Sequence, residues 1–398
     1  MPSRPREIAA TRSSALQHYD RVVDIAALRA QTPGCAHRVH LNNAGAALMA
    51  QPTLEAMAAH LQLEAEVGGY EAVAELVGVR SAEVAFFDNA THAWNAGFYS
   101  VRFGRGDRIL TGRAEYGSNV LAYLHVAQRT GAEVVVVPND EHGQIDVAAL
   151  ERLVDERTRL IGLSHVPTSG GLVNPAAEVG RIAREAGVLF LLDATQSVGQ
   201  FPVDANTIGC DLLTSTGRKF LRGPRGTGFL WVRPDALERL DPFVAEIRSA
   251  TWDGRRGFDW VDGARRFESW ENSYMNQLGL RAAVRQALEL GLDAIAERTL
   301  ALGTELRERL DELPGVSTHD LGEERCAIVT ARVADVASAD VAAALKRAGV
   351  NVTVTVPEDT QFDTEDRGLP PLVRLSPHYY NTVDELEYAV EQIAALRR

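Results

Sequence analysis

The sequence predicts an α/β fold: a large domain on a mostly parallel sheet with helices on both faces, then a small α+β C-terminal domain. Three observations carry this expectation. Between residues 84 and 192, short apolar or β-branched runs alternate with helical patterns, the rhythm of strand–helix units stacked into a parallel sheet. Two apolar runs lead to chemistry-bearing residues: residues 188–192 end on Asp193, and Leu212 and Leu213 are followed by small polar residues and then Lys219. Ligands of open α/β sheets sit at that carboxyl edge. After about residue 233 the alternation stops.

In chain order, residues 1–40 form an arginine-rich arm poor in acids. Its residues 19–30 read as a helix with Val22, Val23, Ile25, Ala26 and Leu28 available for packing, so the arm is expected to lie on the body against the small domain. LNNAGAALM, from Leu41, reads as an extended piece and a turn broken at Gly45. Residues 52–67 carry apolar groups at helical spacing, with Pro52 just inside the start and Gly68-Gly69 just beyond the end. Strands follow at 84–87, 108–110, 133–137, 160–166 and 188–192, and helices at 91–101, 119–129, 147–155 and 175–186. The large domain is expected over residues 41–265 and the small one over 266–398. Residues 249–271 read as loop. A long helix is expected at 275–313, with Gly291 a candidate break and Pro314 a stop. Strands at 326–333 and 351–356 flank a helix at 339–347, and a last amphipathic helix spans 383–396.

A chain of 398 residues is long enough for a large and a small core. Its net charge of −13 leaves no electrostatic footprint for nucleic acid or an anionic membrane. No apolar run approaches the roughly 20 residues that span a bilayer. Cys35, Cys210 and Cys326 are scattered without CxxC spacing, which points to a reducing compartment and against a disulfide framework or a zinc site. GxxxxGK[ST], HExxH and GxSxG are absent, and the glycines of RGPRGTG do not open a helix. A cytoplasmic protein with no metal is the expectation.

An aspartate at a sheet edge can neutralise a protonated ring nitrogen, and a lysine can form a Schiff base. Pyridoxal phosphate requires that pairing of its protein. The chain has only two lysines, Lys219 and Lys346. Arginine has taken the ordinary surface role, and it cannot act as an amine nucleophile at neutral pH. Lys346, near the end of an amphipathic helix, reads as a solvated cation favoured there by the helix dipole. Lys219 sits among Ser215, Thr216, Gly217 and Gly223. Composition alone leaves a phosphate-binding lysine as the rival reading.

DATQS (193–197) and STGRKFLRGPRGTGFL (215–230), with the lysine 26 positions after the aspartate, resemble the cofactor core of class V aminotransferases and cysteine desulfurases. These are pyridoxal-phosphate enzymes of the aspartate-aminotransferase fold (fold type I), so the resemblance implies a seven-stranded-type sheet in the large domain. The resemblance runs from LNNAGAAL (41–48) to VRLSPHYYNT (373–382). It implies that Lys219 forms the Schiff base and later moves the Cα proton. By the same resemblance Asp193 holds the pyridine nitrogen and Gln196 reaches the phenolic oxygen. FFDNATHAWN (86–95) resembles the family's phosphate loop, so Ala90 and Thr91 become phosphate candidates, with Thr91 also readable as a plain helix cap. Thr216 and Arg218 precede the lysine, where the family usually has serine and histidine; Arg218 offers a fork suited to phosphate. Tyr116 stands where desulfurases stack a histidine on the ring, and a core tyrosine is the alternative. Thr168 replaces the family's asparagine, and His165 reads as a packed strand residue. Arg374 matches the arginine that grips the substrate α-carboxylate, and Asn43 is a weaker candidate for the same group.

A cysteine desulfurase of this family carries a nucleophilic cysteine on a mobile loop shortly before the carboxylate arginine. The corresponding tract, residues 357–371, has none. Trp270-Glu271 stand where the family has a Gly-Thr contact to the neighbouring subunit's phosphate, so that role is not carried over. LEAEVGGYEA (63–72) and EYGSN (115–119) are similar to C–S lyases of the ergothioneine-pathway type, with Gly68, Gly69 and Tyr70 at the substrate mouth or, alternatively, capping a helix. The resemblance therefore implies a homodimeric enzyme acting on an amino acid or cysteine S-conjugate, with C–S cleavage by β-elimination favoured. Transamination or epimerisation would use the same residues. A non-catalytic pyridoxal-phosphate-binding protein is the reading from another class.

Overall fold

β-branched and leucine-rich runs too short for helices become the central sheet of this computed structural model, which describes residues 24–67, 83–254 and 256–397. Helix α1 (Ile25–Ala30) is capped by Asp24, whose carboxylate accepts from the Ala27 amide at 2.9 Å. β1 (Val39–His40) and helix α2 (Gln51–Val67) follow. The alternation then begins: β2 (Val84–Phe87), α3 (Ala90–Tyr99), β3 (Arg108–Thr111), α4 (Gly117–Thr130), β4 (Glu133–Val136), α5 (Val147–Leu153) and β5 (Thr158–Ser164). It continues through α6 (Ala176–Ala186), β6 (Leu189–Asp193), α7 (Ala205–Ile208), β7 (Leu212–Thr216) and β8 (Gly228–Val232).

Among the described residues these strands form a seven-stranded sheet in the order β2-β8-β7-β6-β5-β3-β4. β3 to β7 run parallel, and β8 is antiparallel to both neighbours. The exception has a local cause. Only residues 217–227 join β7 to β8, too short a link for the helical crossover that a parallel return needs. That connection carries Lys219.

The sheet is apolar on both faces, as the period of two requires. On β6, Leu189 and Leu191 pack with Trp94, Phe98 and Tyr123 on one side, while Phe190 and Leu192 pack with Val179 and Ile182 on the other. Each such side chain stabilises the fold by roughly 1.5–3 kcal/mol through burial. The parallel run has to be apolar without interruption, and only its last residue, Asp193, is free to be polar.

Past the sheet come the β9 (Ala250–Trp252)–β10 (Phe258–Trp260) hairpin and two helices, α8 (Tyr274–Leu290) and α9 (Leu292–Asp311), which meet at Gly291 with φ 85°. Then come β11 (Val316–Thr318), β12 (Val329–Val333), α10 (Ser338–Arg347), β13 (Val350–Asn351), β14 (Thr353–Val354), α11 (Gln361–Arg367), β15 (Val373–Leu375) and α12 (Val383–Ala395). β11-β12-β15-β14 make an antiparallel four-stranded sheet. β1 pairs with β13, and Asn42 bridges to Ser376, so the segment before the large sheet is tied to the small domain. α1 joins the same region, with Leu28 packed among Ala287, Ile295, Tyr379 and Tyr380.

Several expectations are refined. Residues 249–271 hold a hairpin where a loop is expected, because Trp252 and Phe258 pair across it in register. Residues 357–371 are also structured, with a 3-10 turn (Pro357–Thr360) leading into α11. The long helix breaks fully at Gly291. The expected positions 1–23 of the arm, and Gly68, Gly69 and Tyr70, lie outside the described residues. Among the described residues no helix is long and apolar enough to cross a membrane, and no metal-ligating cluster occurs.

Candidate active site

Strand ends build the site. Ser164, Asp193 and Thr214 stand side by side in the register of β5, β6 and β7. Beside them, β8 brings in the start of α3. A Cβ on Gly228 would collide with the Asn89 carbonyl, so only glycine lets β8 pass this closely under the helix start. Asn89 caps α3 by accepting from the His92 amide at 2.8 Å. The cap is therefore Asn89 and not Thr91, and the Ala90 and Thr91 amides keep the free donors of a helix N-terminus.

A cleft of about 640 Å³, part of it open to solvent, lies over this edge. Ala90, Thr91, Tyr116 and Thr168 line it, and so do Asp193, Gln196, Thr216, Arg218 and Lys219. The sequence-derived cofactor candidates thus line one cavity, together with Asn119, Ser164 and Thr195. Gln196 is anchored by donating to the Ala44 carbonyl at 3.3 Å and the Thr168 hydroxyl at 3.1 Å, and its Oε1 is buried without a partner. The Thr216 hydroxyl donates to the Thr227 carbonyl at 2.7 Å. Arg218 commits one guanidinium nitrogen to the Gly45 carbonyl, so only part of its fork remains for a ligand.

Lys219 is half-buried. Burial, and after it the Arg218 charge, pushes its ammonium down to about 7, against the opposing pull of Asp193. A large share of the amine is therefore uncharged at neutral pH and able to attack an aldehyde. The turn behind it is held by Arg222, a non-glycine residue at φ 59°. Arg222 donates to the Leu48 carbonyl at 2.8 Å, the Tyr379 hydroxyl at 2.6 Å and the Thr32 hydroxyl at 2.6 Å. Its guanidinium also stacks 4.5 Å from the Tyr380 ring. Sequence reading missed Arg222; its only signal is its place three residues after the lysine.

Asp193 accepts from the Thr195 amide at 3.0 Å and from Asn119 Nδ2 at 3.1 Å. The same Asn119 nitrogen donates to Glu115 Oε1 at 2.9 Å. Glu115 is buried, and burial raises its carboxyl above the usual range, with the Asp193 charge acting in the same sense. Neither residue was singled out from the sequence, although EYGSN holds both at helical spacing.

Arg374, on β15, donates to the Thr168 carbonyl at 2.7 Å and hydroxyl at 2.8 Å, and its Nε is buried without a partner. Asn42 Oδ1 accepts from it at 3.5 Å. Asn43, the expected neighbour of a substrate carboxylate, is fully buried elsewhere. It donates to the Ser376 carbonyl at 2.8 Å and accepts from the Tyr380 hydroxyl. Asn42, and not Asn43, is therefore the one of the two whose carboxamide meets Arg374. His165 is a packed residue as expected: its ring lies 5.5 Å from Phe201, and burial holds it down to about 4.

The donor set fits pyridoxal phosphate. Lys219 supplies a half-titrated amine, Asp193 a fixed carboxylate, α3 an anion-binding N-terminus, and Gln196 Oε1 and the Thr195 hydroxyl are buried polar atoms that still lack partners. A family model described as class V aminotransferase matches residues 39–389. The chain belongs to the class V aminotransferase family. A probable cysteine desulfurase of Methanothermobacter thermautotrophicus is 30% identical to it over 82% of this chain and 83% of its own length. A cysteine desulfurase of Haloferax volcanii is 28% identical over 85% and 81%. Among solved structures, a cysteine desulfurase of Escherichia coli superposes with a TM-score of 0.85 at 23% identity, covering 94% of this chain and 98% of that one. A cystine C–S lyase in complex with cysteine persulfide superposes at 0.81 and 23% identity, over 92% and 99%. This class V member is a pyridoxal-phosphate enzyme of the type that acts on C–S bonds or transfers amino groups.

Proposed function

We propose that the chain is a C–S lyase that cleaves a cysteine S-conjugate by β-elimination, giving a thiol-type leaving group, a keto acid and ammonia. One observation carries this reading over desulfuration through an enzyme-bound persulfide: none of the three cysteines lines the cleft. Cys210 and Cys326 are buried, and burial pushes their thiols up to about 12 and about 11. Cys35 is half-buried among Leu48, Ala287 and Tyr380, and burial raises it too. The tract before Arg374 offers Asp359 instead, whose charge acts on both Lys219 and Arg374.

Pyridoxal phosphate, when bound, stores the electron pair left at Cα after its proton departs. Everything else falls to the chain. Ala90, Thr91 and the remaining arm of Arg218 would hold the phosphate, Tyr116 would lie against the ring, and Asp193 would keep the ring nitrogen protonated. Arg374 orients the substrate α-carboxylate, with its free Nε and Asn42 beside it. Lys219, titrating near 7, takes the Cα proton and can return it. The C–S bond then breaks with its electron pair going to sulfur, and the released enamine hydrolyses to the keto acid and ammonia.

Incubation of the holoenzyme with a cysteine S-conjugate tests this reading. Pyruvate and ammonia formed without an added keto acid support the lyase. A requirement for a keto acid would replace it with transamination, loss of stereochemistry without elimination with epimerisation, and no turnover of any amino substrate with a binding protein. The proposal includes a homodimer, since Ile247 and Trp252 stand 78% and 70% exposed and Phe243, Phe258 and Trp270, from the same stretch of chain, are exposed as well. Light scattering at the monomer mass would overturn that part.

A further inference from the structure

Glu115 is the most heavily hydrogen-bonded carboxylate near the cleft. Oε1 accepts from the Tyr116 amide at 2.7 Å, Asn119 Nδ2 at 2.9 Å and the Ser164 hydroxyl at 2.5 Å. Oε2 accepts from the Thr111 hydroxyl at 3.0 Å, the Ser164 amide at 3.1 Å and the Tyr123 hydroxyl at 3.4 Å. Two backbone amides and a side-chain amide can only donate, so each oxygen meets at least one obligatory donor. Such a cage is costly to build around a group with only a packing role, because leaving any of these buried donors unpaired is unfavourable.

The geometry also dictates Asn119. Its NH₂ lies between Glu115 Oε1 and Asp193 Oδ2, and both hydrogens are used. Rotating the carboxamide by half a turn would set its carbonyl against two carboxylates. Glu115 therefore fixes which end of Asn119 faces Asp193, and the Thr195 amide fixes the other Asp193 oxygen. The remaining ionisable neighbours do not replace this link. Burial holds the Tyr123 hydroxyl neutral, well above its ordinary range, and Lys219 approaches Asp193 from the connection after β7.

We propose that Glu115 is a positioning residue for the cofactor: through the Asn119 amide it fixes the Asp193 carboxylate in orientation and charge, and so sets how firmly the pyridine nitrogen keeps its proton. The proposal rests on the assignment of Asp193 to that nitrogen. Glu115 itself touches neither cofactor nor substrate. Its carboxylate acts at one remove, by stabilising the donor that Asp193 accepts and by adding a second negative charge behind it.

The test loads the holoenzyme with pyridoxal phosphate labelled with ¹⁵N in the ring and follows the nitrogen resonance against pH, with thermal unfolding as a control. E115Q is expected to lower the nitrogen's protonation midpoint by roughly one unit. N119A, which leaves the other five donors to Glu115 in place, is expected to shift it in the same direction, and it decides the matter if E115Q does not fold. D193N should give the largest shift. Midpoints of E115Q or N119A equal to wild type, with D193N shifted, overturn the role of Glu115 alone. A D193N enzyme that titrates like wild type overturns the Asp193 assignment and this inference together.

Discussion

One guanidinium nitrogen of Arg374 donates to Thr168 twice, to its carbonyl at 2.7 Å and to its hydroxyl at 2.8 Å. This joins a strand of the small antiparallel sheet to the loop after β5 of the large one. The residue assigned to the substrate thus reads its position from a residue that also holds Gln196 at 3.1 Å. Arg374→Ala is expected to lower kcat/KM by at least about a hundredfold, as for loss of one partner from a buried charge pair. Thr168→Ala removes the hydroxyl that accepts from both Arg374 and Gln196 and should cost roughly tenfold. Steady-state kinetics against the cysteine conjugate, with cofactor content measured beside it, check both. Loss of cofactor instead of loss of substrate affinity would argue against the assignment.

Lys219 links activity to pH. Because its folded value is lowered to about 7 from an ordinary 10.5, the uncharged amine accumulates as pH rises through 7. The rate at which the cofactor-free chain takes up pyridoxal phosphate should rise over the same interval. Asp359 acts to keep the amine charged, so Asp359→Asn should move that midpoint down.

The same shift has a stability consequence in the cofactor-free chain. Between about 7 and 10.5 the unfolded chain binds a proton on this lysine that the folded chain lacks. Stability therefore rises with pH across that window, and it carries the full penalty below it. Lys219→Met should flatten this part of the thermal-unfolding profile and abolish turnover, a loss of at least about a hundredfold.

Arg222 combines a left-handed backbone with a buried charge. Arg222→Ala is expected to destabilise by about 3 kcal/mol, since three hydrogen-bond partners lose their donor. Arg222→Gly should destabilise about 1 kcal/mol less, because glycine tolerates the positive φ. Urea unfolding of the pair measures the difference.

Gly117 opens α4 directly beneath the turn at Pro357–Thr360, where an added Cβ would collide with the Glu358 carbonyl. Gly117→Ala should displace that turn, and Asp359 with it. The expected result is a several-fold rise in KM with cofactor binding unchanged. Titration with substrate and with pyridoxal phosphate separately checks it.

Much of the site was legible because its residues end runs of one period. Asp193 closes an apolar strand, Lys219 sits in the link after the next, and Ala90-Thr91 open a helix after β2. The choice between Asn42 and Asn43 was not legible, for a related reason. Neighbouring positions in an extended segment face opposite ways, and nothing local says which of Asn42 and Asn43 meets Arg374. Glu115, Asn119 and Arg222 escaped notice because their partners lie far along the chain: Asn119 reaches Asp193 across 74 positions and Arg222 reaches Thr32 across 190.

By itself the sequence determined the layered α/β architecture, the placing of a lysine and an aspartate at the sheet edge, and the absence of a cysteine before Arg374, since each is written in periodicity or residue type over a short stretch. Only the tertiary structure decided that β8 turns back antiparallel, that Asn42 and not Asn43 faces the arginine, and that a buried glutamate stands behind Asp193. Those outcomes depend on contacts between distant segments, where close packing and the need to satisfy every buried donor choose one arrangement from many that local sequence allows.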